Sequence, residues 1–303
     1  MRNRFMLTLS STLALFAVCA VTATTADAKQ ADPVCGQVVR DDLVLKNDLD
    51  CSTSGTPGLV VGKDGITIDL NGHVISGAGA YDLNEGIENA GHDNVTIKNG
   101  EIRRFSHQIY FLNVARSTVT GVRFSGAPGA ANGIYSSYGT GNHFVGNYFF
   151  LPNYGIELSN GSENLIRDNV IKEANRGVTT SNEAFDQIID NVSKGFSIST
   201  YAFYSLSDYR MKYDGDIANG GYQGFYALNP RGLLIRRSQA NENGYAGIYI
   251  DANTACPSCS ARIRESETSK NAEYGIYAVF PVSSLGNTAL GNGYYNCHLV
   301  ACN

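Results

Sequence analysis

The sequence predicts an all-β fold, a single right-handed parallel β-helix that forms a solenoid of about ten coils. Three observations predict it. One outline recurs at a fixed offset: Gly155-Ile156 with Asp168-Asn169-Val170 returns 22 residues later as Gly177-Val178 with Asp190-Asn191-Val192. The two marks of that outline then run along most of the chain. A small residue ahead of an apolar one stands at Gly58, Gly86, Gly133, Gly155, Gly177, Ala202, Gly224, Gly247 and Gly275, and more loosely at Gln108. A turn former after an apolar pair stands at Asn71, Asn99, Gly121, Asn147, Asn169, Asn191, Asp214, Ser238, Ser266 and Asn287. Finally, the segments between the marks are short Ile, Val, Phe and Tyr runs split by Asn and Gly, without the Ala, Leu, Glu and Lys at 3.6 spacing that helical repeats need. A leucine framework and a six-residue beat are both missing, which excludes leucine-rich repeats and the left-handed hexapeptide helix.

In chain order, Arg2 and Arg4 precede an uncharged apolar run from Leu7 to Val21, and Ala26-Asp27-Ala28 supplies small residues for a signal peptidase. Residues 1–28 are therefore expected to be a removed signal peptide, and the protein to be secreted or periplasmic. The apolar run is shorter than the ~20 residues of a membrane span, so no stable membrane insertion is expected after cleavage. Residues 29–57 lack the repeat and are read as an N-terminal cap, with the loop from Cys35 to Cys51 lying across the first coil. Residues 58–290 are the β-helix, and 291–303 a C-terminal cap closed by Cys297 and Cys302. A solenoid needs such caps, because its end coils otherwise expose apolar core and unpaired strand edge.

With Cys19 gone with the leader, six cysteines remain, and an even number in an exported chain indicates disulfides. Short separations favour Cys35 with Cys51, Cys256 with Cys259, and Cys297 with Cys302. A redox or zinc role for Cys256-Pro257-Ser258-Cys259 lacks both a βαβ context and a second CxxC. The formal net charge is −5, and loss of Arg2, Arg4 and Asp27 makes the remainder more acidic, which argues against a general nucleic-acid binder. Oligomeric state is not encoded in any feature of the sequence.

One coil shows how the pattern folds. In Gly155-Ile156-Glu157-Leu158, strict alternation turns Ile156 and Leu158 inward and Glu157 outward. Leu165-Ile166-Arg167 is a second strand, Asp168-Asn169 a tight bend suited to the left-handed tolerance of Asn, and Val170-Ile171-Lys172 a third strand. Stacking at ~4.8 Å per coil turns sequence period into vertical columns, so Asn147, Asn169 and Asn191 should form a structural amide ladder.

Other columns point outward. The first outward position of the first strand carries Glu88, Tyr110, Tyr135, Glu157, Thr179, Tyr204, Tyr226, Tyr249 and Tyr277. The last four make an aromatic run on which sugar rings would stack, with Asp251 beside it for hydroxyls. The structural alternative is that tyrosines simply suit strands and stack on one another. On the second strand, Lys212, Arg236 and Arg264 are expected to align on successive coils, either as a polyanion-binding stripe or paired locally with Asp214, Asp216 and Glu265.

At these residues the chain resembles the pectate-lyase-like superfamily, whose generic β-helix repeat has a Gly-Ile strand, an apolar pair, a turn Asn and a third strand; the resemblance spans roughly residues 59–287. It implies a substrate cleft on the first-strand face and a polysaccharide partner. The polygalacturonase pattern is missing: Asp41-Asp42 precedes the coils, Gly72-His73 is followed by Val74, and only Arg262-Ile263-Arg264 is similar to its last element. Glu88 and Glu157 stand three coils apart, roughly 14 Å at the strand spacing, beyond the about 5 to 9.5 Å of a glycosidase pair. If the chain is catalytic, lyase chemistry on a uronate polymer fits better. The stretch from Asp208 to Asp216 offers Arg210 or Lys212 as base and Tyr209 or Tyr213 as acid, against the plainer alternative of an outward charged strand. No carboxylate cluster matches the calcium site of pectate lyases, so no cofactor is expected. Similar periplasmic β-helix proteins are associated with copper-enzyme maturation. Here His73, His92, His107, His143 and His298 fall at different coil positions and only Met211 survives processing, so no metal site is expected. A non-catalytic structural or adhesion module is the remaining alternative.

Overall fold

The computed structural model describes residues 32–79, 84–126, 132–150, 153–195, 200–253 and 256–303, and the proposed signal peptide lies outside them. Twelve strands, from Gln37–Val39 to Tyr295–His298, stack in parallel into one sheet that bears the first strand of every coil, making about eleven turns. The second and third strands of each coil pair only with their counterparts above and below. In the strands Thr96–Arg103 and Thr118–Ser125 the two merge across the bend. Among the described residues there is no helix.

The core is a set of columns that follow from strand alternation. Ile87, Ile109, Ile134, Ile156, Val178, Phe203, Phe225, Ile248 and Ile276 align in register and are all buried, and each contributes about 1.5–3 kcal/mol from burial. Phe203 stacks on Phe225 with ring centroids 4.8 Å apart. The glycine ahead of most of these inward residues reflects close backbone approach: a Cβ on Gly155 would lie 2.5 Å from the Gly177 carbonyl oxygen.

The amide ladder forms as expected and reaches further. The Asn147 and Asn169 backbone N–H groups donate to the Oδ1 of Asn169 (2.9 Å) and Asn191 (3.0 Å), and Asn191 donates to Asp216 (2.8 Å). Two expectations need correction here. The ladder residue of its coil is Asp216, not Asp214. The left-handed residue of the bend is the one before the ladder amide, Asp168 (φ 57°) and Asp190 (φ 55°), while Asn169 and Asn191 turn inward and are fully buried. A second ladder, Asn142 to Asn164 to Asp186, runs along another corner, and a third runs through Asn243, Asn271 and Asn292.

Both ends differ from simple lids. Gln37–Val39 pairs with Leu59–Val61, so the segment read as an N-terminal cap is itself the first coil. Tyr295–His298 pairs with Tyr274–Ala278 and ends the sheet. The three disulfides join Cys35 to Cys51, Cys256 to Cys259 and Cys297 to Cys302, with Cα separations of 5.7, 5.4 and 6.4 Å.

Candidate functional site

The outward column of the first strand is continuous. Glu88, Tyr110, Tyr135, Glu157, Thr179, Tyr204, Tyr226, Tyr249, Tyr277 and His298 are successive register partners. Its upper half is aromatic. Ring centroids lie 5.3 Å apart for Tyr204 and Tyr226, 5.9 Å for Tyr226 and Tyr249, 5.0 Å for Tyr249 and Tyr277, and 4.6 Å for Tyr277 and His298. The Tyr226 hydroxyl donates to Asp251 (3.2 Å), and burial followed by that carboxylate's charge pushes the phenol's pKa upward. Sequence reasoning missed a second file beside the first, formed by Tyr201, Tyr222, Tyr245, Tyr274 and Tyr295. Tyr222 stacks on Tyr245 at 5.2 Å, and Tyr274 lies 4.7 Å from Tyr277. The available signal was the tyrosine three residues ahead of the outward position in 201–204 and 274–277.

The lower half carries charge. The Glu85 carboxylate lies 3.0 Å from His107 Nδ1 and accepts the His107 backbone N–H at 3.1 Å. The imidazole packs against Tyr135 (5.1 Å) and Tyr110 (5.6 Å), which stack on each other. Asn132 donates from Nδ2 to the Glu157 carboxyl at 3.0 Å. Burial pushes Glu157 above the ordinary carboxyl range against the opposing charges of His107 and Arg176. Arg176 lies over the rings of Tyr204 (4.4 Å), Tyr154 (5.2 Å) and Tyr201 (5.7 Å). At the junction of the halves, Thr179 is buried and its Oγ1 has no hydrogen-bond partner among the described residues.

The second-strand flank departs from expectation. Lys212 stands opposite Leu234, and the residue aligned with Arg236 and Arg264 is Asp214. That carboxylate takes ion pairs from Lys212 (3.1 Å), Arg236 (2.6 Å) and Arg237 (2.6 Å). Burial opposes its ionisation, yet hydrogen bonds from Arg236, Arg237 and Lys212 hold it down at about 2. The expected stripe is thus tied locally to one carboxylate, which offsets a single charge and leaves the flank net basic, with Arg264 in no ion pair among the described residues. Of the residues proposed for lyase chemistry, Arg210 and Lys212 line one cavity with Glu163, Phe185, Asp186 and Gln187, whereas Tyr213 is withdrawn from it. Tyr213 lies in the core, edge-on to the stacked Phe203 and Phe225, burial drives its phenol upward, and it faces no solvent. Tyr209 meets Phe185 edge-on, and Arg210 covers both rings.

His73 pairs with Asp48, His92 with Asp64 and His107 with Glu85, on different coils; Met211 is in the core and the six cysteines are oxidised. Among the described residues no group of three His, Cys, Asp or Glu is placed to hold a metal ion, so this donor set does not fit copper.

Residues 63–204 match a family model described as "Periplasmic copper-binding protein (NosD)". No curated protein sequence matches the chain. Among solved structures, the catalytic domain of an alpha-1,3-glucanase in complex with tetrasaccharides superposes with a TM-score of 0.64 at 13% identity, over 86% of this chain. The chain spans 60% of that glucanase domain. An exopolygalacturonase from Thermotoga maritima gives 0.57 at 9% identity, over 85% of this chain and 84% of the other. The mannuronan C-5 epimerase A-module of Azotobacter vinelandii gives 0.52 at 13%, over 88% and 85%. At such identities these likenesses establish the fold alone.

Proposed function

We propose that this chain, a right-handed parallel β-helix repeat protein of the pectate-lyase-like superfamily, holds a polysaccharide along the tyrosine-bearing face of its first-strand sheet. The observation that carries the proposal is the unbroken register of Tyr204, Tyr226, Tyr249 and Tyr277, doubled by the file from Tyr201 to Tyr295. A flat run of partly exposed rings offers apolar faces to successive sugars, while Asp251 and the phenol hydroxyls offer polar partners. The similar β-helix structures, an alpha-1,3-glucanase in complex with tetrasaccharides, an exopolygalacturonase and a mannuronan C-5 epimerase module among them, support a carbohydrate ligand. Three disulfides and the periplasmic description of the matching family support a place outside the reducing cytosol.

Coil-to-coil ring stacking favours a second reading, in which the tyrosines serve packing and the chain is a structural or adhesion module. Affinity electrophoresis separates the two. Gels cast with neutral and uronate polysaccharides should retard the wild-type chain, and the double variant Tyr226→Ala with Tyr249→Ala should migrate as in a polymer-free gel. Equal mobility of the wild type in every gel would leave the tyrosines as packing.

A further inference from the structure

The Cys256–Cys259 bridge differs from the other two disulfides in packing, loop length and surroundings. Cys51 lies in the core and Cys35, Cys297 and Cys302 pack against it, whereas neither Cys256 nor Cys259 belongs to it. The bridge closes the shortest of the three loops, with a sequence separation of 3 against 16 and 5, so it constrains the unfolded chain least. It sits between the first strand Ala246–Asp251 and the second strand Ser260–Arg264 of its coil, with Pro257 and Ser258 exposed and both cysteines half-buried. The two cysteines line different clefts. Cys256 lines a small one of about 130 Å³ with Ser207, Asn229, Arg231 and Asn253, and Cys259 a larger one of about 370 Å³ whose walls include Leu233, Ala261, Arg262 and Pro281. Each cleft holds one cysteine, one arginine and no carboxylate. Arg231 and Arg262 are exposed and form no ion pair among the described residues. The acidic side chain nearest in sequence, Asp251, is taken by the Tyr226 hydroxyl and the Ala252 N–H. Exchange proceeds by attack of a thiolate on one sulfur while the other departs as a thiolate, so it needs an approachable sulfur and a place where the departing charge is stabilised. An arginine beside a cysteine and the CxxC spacing both favour the thiolate. No thioredoxin-like scaffold is required, because the site and not the fold carries the chemistry.

We propose that Cys256–Cys259 is a thiol–disulfide exchange site that oxidises a pair of thiols in an acidic segment of another polypeptide. The larger cleft admits that segment, with Leu233 and Pro281 as apolar walls and Arg262 as the partner of its acidic side chains. The first substrate thiolate attacks Sγ of Cys259, and the bridge breaks with its electron pair on Sγ of Cys256, in the cleft where Arg231 balances the charge. The second substrate thiolate then attacks the substrate sulfur of the mixed disulfide and releases Cys259 as a thiolate. Two electrons pass to the bridge. The substrate dithiol becomes a disulfide, and Cys256 and Cys259 become thiols by taking up the two protons that the substrate thiols gave up. The inference is independent of the glycan-binding reading above.

The test mixes the oxidised chain with one equivalent of a synthetic peptide carrying two cysteines among aspartates, or with its lysine counterpart. The reaction is quenched with an alkylating reagent, each cysteine is mapped by mass spectrometry, and each rate is divided by that peptide's rate with hydroxyethyl disulfide. With the aspartate peptide, Cys256 and Cys259 should be alkylated in step with peptide oxidation while the other four cysteines stay bridged. The lysine peptide should react about tenfold more slowly, a gap that closes at high salt. Arg231→Gln should slow exchange roughly three- to tenfold, and Arg262→Gln should erase the preference for the aspartate peptide. Given the oxidised peptide, Cys256→Ser should accumulate a mixed disulfide through Cys259, and Cys259→Ser should not. The two arginine variants keep all three bridges, so they carry the test if a cysteine variant folds poorly. A peptide left reduced, opening of all three bridges in parallel, or equal rates for both peptides and for Arg231→Gln would overturn the site and leave the bridge as a loop clamp. Polymer retardation should be the same in Arg231→Gln as in the wild type, so this inference and the glycan reading fail separately.

Discussion

Two flanks of the same solenoid carry charged side chains, and they are used differently. On the second-strand flank, Asp214 gathers Lys212, Arg236 and Arg237, so three cations are answered by one buried carboxylate within the fold. On the first-strand face, Arg176 and Glu157 are left without ion-pair partners among the described residues, set among tyrosine rings. Residue type is therefore a poor guide to a site in a β-helix. Whether a charge has already been satisfied by the coil above or below is the better one.

The largest effect expected from breaking this contrast is on stability. Asp214→Ala leaves three cations clustered with no anion; partial exposure of the arginines screens them, so the expected loss is about 2–3 kcal/mol, below the full cost of splitting a buried pair. Urea unfolding should show the midpoint falling with the slope unchanged. Polymer retardation at matched folded concentration should not move. A fall in polymer binding on that variant would show that the basic flank, not the tyrosine face, holds the ligand.

The next effect is on pH dependence. Burial pushes Asp186 and Asp216 up to about 7 and Asp208 up to about 6, while burial and the neighbouring Asp186 push Glu183 up as well. A carboxyl whose folded pKa is raised favours folding in its protonated form. That contribution is fully present below about pH 4, the ordinary carboxyl value, and is lost as pH rises through about 6 to 7. The urea midpoint should accordingly fall between pH 4 and pH 8. Asp186→Asn keeps the oxygen that accepts from Asn164 and removes the like charge beside Glu183, so it should flatten that slope. A midpoint rising over the same range would contradict the account.

These two predictions also mark what the sequence made legible. The tyrosine column could be placed because its coils keep the outward residue two positions after the small-residue mark, whatever the length of the loop between coils. The basic column was misplaced because Asp214 was taken as the ladder residue where Asp216 holds that role. The coil joining Gln187 to Lys212 spans 25 residues, three more than the 22 from Asp190 back to Asp168. A two-residue error in one bend moves a column to the wrong neighbours. The second tyrosine file, and the pairing of His107 with Glu85, involve positions at the start of the strand or before it, where alternation no longer says which way a side chain turns. Glu183 and Asp186 read as an ordinary polar turn, since burial at a solenoid corner leaves no periodic trace.

Smaller effects sharpen the comparison within the aromatic residues. Tyr201→Ala should weaken polymer binding about tenfold, equivalent to about 1.4 kcal/mol, because its ring packs beside both Tyr204 and Tyr226. Tyr209→Ala, on the other flank beside Phe185, should leave binding unchanged. Arg264→Ala is expected to be nearly silent, within about 0.5 kcal/mol in stability, since its side chain is exposed and no ion pair forms on it among the described residues. Competition binding on the three variants would order them.

The most direct measurement uses a property of the composition: the chain has 18 tyrosines and no tryptophan, so its intrinsic fluorescence reports on tyrosine alone. Titrating defined uronate and neutral oligosaccharides into the wild-type chain should give a saturable fluorescence change for at least one of them, and the double variant Tyr226→Ala with Tyr249→Ala should lose it while unfolding cooperatively. A saturable change that survives in the double variant would contradict a ligand held on this face, as would its absence with every oligosaccharide.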